Sequence, residues 1–453
     1  MVSRRALLRW IAVSPAAGLA GCNGVFSGES EDTPTRTPAA TLTAEGDVSS
    51  TPAGPTAPGK TPTRRATPTD TPTDTPPPTD TATATPTPTG TPPFERVETA
   101  ALTPSSEPHP QWFGAPVALS SDVALVGVHW DSLSVFESRD DGWERTATLS
   151  SQKDGRGYSE YSSSIALDGE TAFLGYGPFG EDGAVDVVER DGEEWSRRER
   201  ITPTDPPEDG YFDFGKSVAH DDGTLVVGAV QDPEPMRHWR GDVFVFERSG
   251  DDWSQVAAFG SETNNLFGRR LAVSDETFMV GAPAGGDEHD WDGRVFVYER
   301  SDGTWDRETT LSIDADNTGF GGLVALDGDI AVVAATDHDE TDPIYVFERT
   351  AKGWTERATF APPDKPEEPD HISGLAVEGT TVLVGLPHDD AAGEVVGLEY
   401  TEGGLERTMR LVGESRHPAD GFGFGVELAD GTALVGAPTG ADDRAGRAYL
   451  FDL

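Results

Sequence analysis

The sequence predicts an all-β fold: a seven-bladed β-propeller of four-stranded antiparallel blades, closed by an N-terminal strand and preceded by a disordered linker. Three observations predict it. An apolar anchor and a Val-Gly step recur seven times along residues 94–453, each repeat breaks into four short apolar runs, and the last repeat stops one run short.

The chain begins with Arg4, Arg5 and Arg9, followed by an apolar run from Trp10 to Ala20 that is too short to span a bilayer as a mature helix. Ser3 to Arg9 (SRRALLR) resembles a twin-arginine export signal, and Leu19-Ala20-Gly21-Cys22 resembles a lipobox. The two resemblances imply a signal peptide over residues 1–21, lipidation of Cys22, and a place on the extracellular face of the cell membrane. Cys22 is the sole cysteine, so no disulfide forms within the chain.

Residues 22–93 form the expected linker. From Glu31 onward Thr, Pro, Ala and Asp dominate, as in TPTDTPTDTPPPTD. Such a composition buries too little apolar surface to offset the entropy of ordering. Stretched as polyproline II it reaches about 200 Å, and as a flexible coil about 45 Å. The segment therefore reads as a spacer.

The repeats follow. Their anchors are Val117, Ile165, Val218, Leu271, Val324, Leu375 and Val426, and their endpoints Gly127, Gly175, Gly228, Gly281, Ala334, Gly385 and Gly436. Four residues before each anchor stand Phe113, Tyr161, Phe214, Phe267, Phe320, His371 and Phe422. In the fourth repeat RRLAV and TFMVGA flank SDE, then RVFVYER and TWDRETTL flank SDG. Short runs rich in Val, Phe and Tyr around Asp-Gly turns read as antiparallel hairpins. Blades one to five end in a strand led by Trp143, Trp195, Trp253, Trp305 or Trp354, and blade six substitutes Leu405. The seventh repeat stops at GRAYLFDL, so its fourth strand is expected from FERVETAAL, residues 94–102, which resembles WERTATL with two extra residues. That pairing closes the ring and covers two sheet edges.

The frame Phe-Gly…Val-Gly-Ala-Pro, fullest in the fourth and seventh repeats, resembles FG-GAP repeats, found in the integrin α propeller and in secreted bacterial and archaeal proteins. In the calcium-binding version of that repeat, the loop between those marks carries Asp-x-Asp-x-Asp-Gly, because a hard cation needs several converging oxygens. Here the corresponding positions hold only Asp168-Gly169, Asp222-Gly223, Ser274-Asp275-Glu276, Asp327-Gly328, Glu378-Gly379 and Asp430-Gly431. These are tight hairpins, so no cofactor is expected and the calcium signature is absent. Residues 314–319 (DADNTG) resemble the start of an EF-hand but lack its terminal glutamate.

With those hairpins tight, the long connections run from second to third strand and from blade to blade, on one common face. They carry His129, His238, His289, His338 and His388, together with Trp130, Trp239 and Trp291. His109, His371 and His417 lie in blade-to-blade connections on that face. Trp beside Asp and His suits stacking on sugar faces with hydrogen bonds to hydroxyls; the same residues would also serve to cover the blade tops. The histidines share no single repeat position, and no metal site is assigned.

The net charge of -46, from 80 acidic and 34 basic residues, excludes nucleic acid and anionic lipid as partners. Acidic composition with few lysines resembles proteins of extreme halophiles. No G-x-S-x-G, H-E-x-x-H, phosphate loop or thiol nucleophile occurs in the repeats, so no enzyme is expected. The expected function is a membrane-tethered binding or adhesion module for polysaccharide, glycoprotein or a surface protein. The alternatives are a surface carbohydrate-active enzyme on the same scaffold and an envelope component without a discrete ligand.

Overall fold

A computed structural model describes residues 10–11 and 94–453, except 105–111, 129–131, 150–163, 177–182, 205–212, 231–240, 262–264, 285–291, 315–317, 337–341, 363–370, 389–391, 414–419 and 439–444. Cys22 and the linker lie outside the described residues. The repeats form seven antiparallel sheets in which the strands pair in chain order from inner to outer. Blade one runs Phe113–Leu119, Val123–Val128, Leu133–Arg139 and Gly142–Leu149. Blade four runs Arg270–Ser274, Thr277–Ala282, Arg294–Ser301 and Thr304–Leu311. The chain is thus a seven-bladed propeller, all β among the described residues.

Pleating explains the pattern of each blade. Inner, second and third strands lie between neighbouring blades and are apolar on both faces, as in the fully buried VALVGV of Val123–Val128. The fourth strand is the circumference, and TWDRETTL of Thr304–Leu311 buries only Trp305 and Leu311. Hairpins on one face are two-residue turns of the Asp-Gly kind. Asp222-Gly223, Asp302-Gly303 and Asp430-Gly431 all have positive φ at both positions, the type I′ geometry that matches strand twist.

Residues 94–102 close the ring, and they do so in two pieces. Ala100–Leu102 pairs antiparallel with the third strand of blade seven, Ala100 opposite Leu450, supplying the missing fourth strand. The two extra residues let Glu95–Val97 step across to blade six, where it pairs parallel with the outer strand, Glu95 opposite Arg410. Trp10–Ile11 makes a two-residue ladder with the inner strand of blade four at Val273 and Ala272.

The Phe-Gly and Gly-Ala-Pro marks prove to be a device for packing one blade on the next. Each Phe of the pair is buried edge-on against its own third strand: Phe113 against Phe136, Phe267 against Phe296, Phe422 against Phe451. Each Gly of the pair turns its carbonyl toward the preceding blade. A Cβ placed on Gly228 would fall 2.1 Å from the Gly268 carbonyl oxygen, on Gly281 2.3 Å from that of Gly321, and on Gly436 2.0 Å from that of Gly114. The glycine ahead of the third strand does the same for the Phe carbonyl, as Gly293 against Phe320 and Gly446 against Phe113. Blade six has His371-Ile372 in place of Phe-Gly, and the blade facing it carries Ala334 in place of glycine.

Two further chains of contacts link the blades. The Glu-Arg pair that closes the third strands of blades two to five links each blade to the one before, Arg190 to Glu137 at 2.9 Å, Arg248 to Glu189 at 2.9 Å and Arg300 to Glu247 at 2.9 Å. Arg349 continues it to Glu299, and Tyr400 replaces the arginine opposite Glu348. At the short-hairpin end, the last residue of one inner strand caps the next turn. Ser274 Oγ accepts from Gly328 N at 3.0 Å, and Glu378 accepts from Asp430 N and Gly431 N at 2.8 and 3.0 Å. Asp221 and Asp327 accept in the same way from Asp275 N and Gly379 N. Several of the hairpin carboxylates are therefore committed to backbone N–H groups.

Candidate functional site

Every second-to-third and blade-to-blade connection emerges opposite the two-residue hairpins, at the end where the inner strands begin. Of the candidate residues there, His129, Trp130, His238, Trp239, His289, Trp291 and His338 lie outside the described residues, as do His109 and His417. His388 and His371 are described, His371 just ahead of the inner strand of blade six and His388 just after its second strand. Gly374 pairs with Gly385 in the inner hairpin of blade six, and Ser373 N donates to Gly385 O at 3.2 Å.

Asp342 approaches His371 from the loop that leads into the third strand of blade five. Its carboxylate is buried, accepts from Ile372 N at 3.0 Å, and lies 3.5 Å from His371 Nδ1. A buried carboxylate beside a partly exposed imidazole orients the ring, an arrangement suited to hydrogen bonding or proton transfer. Among the described residues no three His, Cys, Asp or Glu side chains converge closely enough to hold a metal ion.

Sequence reading passed over Trp112. The residue before Phe-Gly adopts a left-handed backbone in four blades: Trp112 at φ 68°, Leu266 at 58°, Gly319 at 61° and Gly421 at 69°. Glycine fills that slot without strain, whereas a bulky residue there is an outlier. Leu266 is 6% exposed in a small cluster with Val230 and Ala284, which offsets its strain. Trp112 is 43% exposed, so burial returns less. Trp112 thus combines a strained backbone with an exposed ring at the long-loop end. Aligning it with Gly319 and Gly421 is the signal that would have found it.

His220 lies at the other end, under the short hairpins. It stacks on Phe173 at 4.3 Å, meets Trp253 edge-on, and is buried. Burial, with the nearby Arg248 charge, pushes its pKa down to about 3. It is a neutral core residue.

The ring and its sheet order define the class as a seven-bladed β-propeller. Solved structures similar in fold include a chain of the mitotic checkpoint complex (TM-score 0.48, 10% identity, 80% of this chain and 93% of that one). Another is Sqt1 of Saccharomyces cerevisiae (0.45, 11%, 79% and 99%). A third is a putative 6-phosphogluconolactonase of Bacteroides uniformis (0.45, 12%, 70% and 89%). No family model matches the chain, and no curated protein matches it in sequence.

Proposed function

We propose that the chain is an FG-GAP-type, lipid-anchored module of the cell surface that recognises a polysaccharide, glycoprotein or envelope protein through its long-loop face. The observation that carries this reading is the division between the two ends of the ring. One end is built from two-residue turns locked to each other, while the other bears all the long connections and the exposed Trp112. Recognition residues collect on variable loops held by a rigid frame.

Phe-Gly at 214–215, 267–268, 320–321 and 422–423 supports the family reading. SRRALLR and the lipobox at Cys22 support export and anchoring. Replacing Trp130, Trp239 and Trp291 with Ala is expected to abolish binding to isolated envelope or to a glycan array; undiminished binding overturns the site. Cys22→Ser is expected to release the protein from membranes, and continued association refutes the anchor.

The Asp342–His371 pair favours one second reading, a carbohydrate-active enzyme that uses the pair in proton transfer. Incubation with envelope polysaccharide and analysis of products separates the two, because turnover excludes a pure binder.

A further inference from the structure

Cations are scarce in this chain, and those on the inner strands are confined to two neighbouring blades. The position two residues after the Phe of each Phe-Gly pair holds Ala115 in blade one, Gly322 in blade five and Phe424 in blade seven, but Lys216 in blade three and Arg269 in blade four. Arg270 follows directly. All three stand where the inner strands start, at the long-loop mouth of the channel.

Arg270 is buried and held in place: its Nε donates to Gly322 O at 2.9 Å and its Nη1 to Arg269 O at 3.4 Å. Arg269 is different. Among the described residues its guanidinium enters no hydrogen bond and no ion pair; only its backbone N–H and C=O are engaged. It is half-buried, and burial lowers its pKa; burial likewise lowers that of Arg270, to about 9, and the Arg269 charge adds to that second shift. Two crowded, poorly hydrated guanidinium groups repel each other, and an anion between them relieves both costs. The planar guanidinium fork matches a carboxylate in two-point geometry.

We infer that Lys216, Arg269 and Arg270 form a local anion site at the long-loop mouth of the channel, which takes the carboxylate of an acidic sugar in a short oligosaccharide. The chain's overall negative charge opposes a long polyanion. The sugar part of this inference rests on the proposed polysaccharide binding, and the carboxylate part on the three cations. Arg269 is the contact residue, Lys216 adds charge from the neighbouring blade, and Arg270 is fixed by Gly322.

The test is calorimetric titration of the full chain with trigalacturonate, with maltotriose as a neutral trisaccharide and with sodium sulfate. Trigalacturonate is expected to bind, Arg269→Gln to weaken it at least ten-fold, Lys216→Gln several-fold, and Arg269→Lys to retain part of the affinity. Arg145→Gln, on an outer strand, is expected to leave it unchanged, and equal thermal midpoints establish that the variants fold. Failure of trigalacturonate to bind, or equal binding by Arg269→Gln, overturns the site. Equal displacement by sulfate overturns the carboxylate assignment. Binding of maltotriose unaffected by Arg269→Gln, with trigalacturonate ignored, leaves the loop-face reading intact and refutes this one. Trigalacturonate bound at Arg269 with isolated envelope ignored does the reverse.

Discussion

Gly385→Ala isolates the packing role of the repeat glycines. A Cβ at Gly385 would lie 2.0 Å from the Gly423 carbonyl oxygen and 2.9 Å from Val426 Cγ2, whereas ordinary contact begins at 3.4 Å. The oxygen must therefore retreat by 1.4 Å, the difference between 3.4 and 2.0. It has little room. Gly423 N is bonded to Gly436 O at 3.0 Å, and a Cβ on Gly423 would itself meet Leu386 N at 3.0 Å. A methyl forced against clamped backbone of the next blade costs about 3 kcal/mol, the upper end for overpacking. The control is Gly403→Ala, where the nearest atom to the new Cβ is Thr401 Oγ1 at 3.5 Å, and its cost is expected to stay below about 1 kcal/mol. Urea denaturation followed by tryptophan fluorescence reads the difference as a lower midpoint at constant slope. Equal midpoints for the two variants would refute the account of the Phe-Gly and Gly-Ala-Pro marks as an inter-blade contact.

Glu137 ties Arg190, Thr146 and Trp195 together from a nearly closed site, so Glu137→Ala is expected to cost about 3 kcal/mol in the same assay. Glu189→Ala, at the more open pair with Arg248, is expected to cost under about 1 kcal/mol and to lose that effect in high salt. Folded His220 stays neutral down to about pH 3 against an ordinary 6.5, so the unfolded chain binds the extra proton between those values. Its contribution is therefore present above pH 6.5 and is lost as pH falls toward 3. His220→Phe is expected to narrow the drop in thermal midpoint from pH 7 to pH 4, and an unchanged drop contradicts the assignment. Trp112→Gly removes the left-handed strain and is expected to stabilise by about 1 kcal/mol while weakening any ligand bound at the long-loop end; a loss of stability shows that the ring packs more than its exposure implies.

The ring was legible because its rules are local and repeated. Asp-Gly between β-branched runs specifies each hairpin, and the short seventh repeat specifies the closing strand. What escaped was every contact made across blades, since those pair residues about fifty positions apart. Glu-Arg at the end of a third strand looks like a solvated turn until Arg190 is seen on Glu137. Asp327 looks like half of a turn until it is seen accepting from Gly379. The extra residues in FERVETAAL left the register open, and only the structure shows them spent on a step from blade six to blade seven. The face that carries the candidate site followed from loop lengths, but Trp112 and Arg269 did not stand out. Trp112 is set apart by a φ angle, and Arg269 by a guanidinium that has no partner among the described residues; composition records neither.

The two-piece closure also decides how the ring carries load. Tension on the chain ahead of Phe94 enters along Glu95–Val97, which lies parallel to the outer strand at Arg410, Leu411 and Val412. That ladder must slide as a unit, because the pull runs along the strand. Arg410 N to Phe94 O, Arg410 to Glu95 and Arg96 to the Asp452 carbonyl resist together. Only when they have yielded does force reach Ala100–Leu102 and begin to open blade seven. Glu95–Val97 thus works as a strain relief, sparing the seam of the ring the first share of any pull on the chain ahead of it.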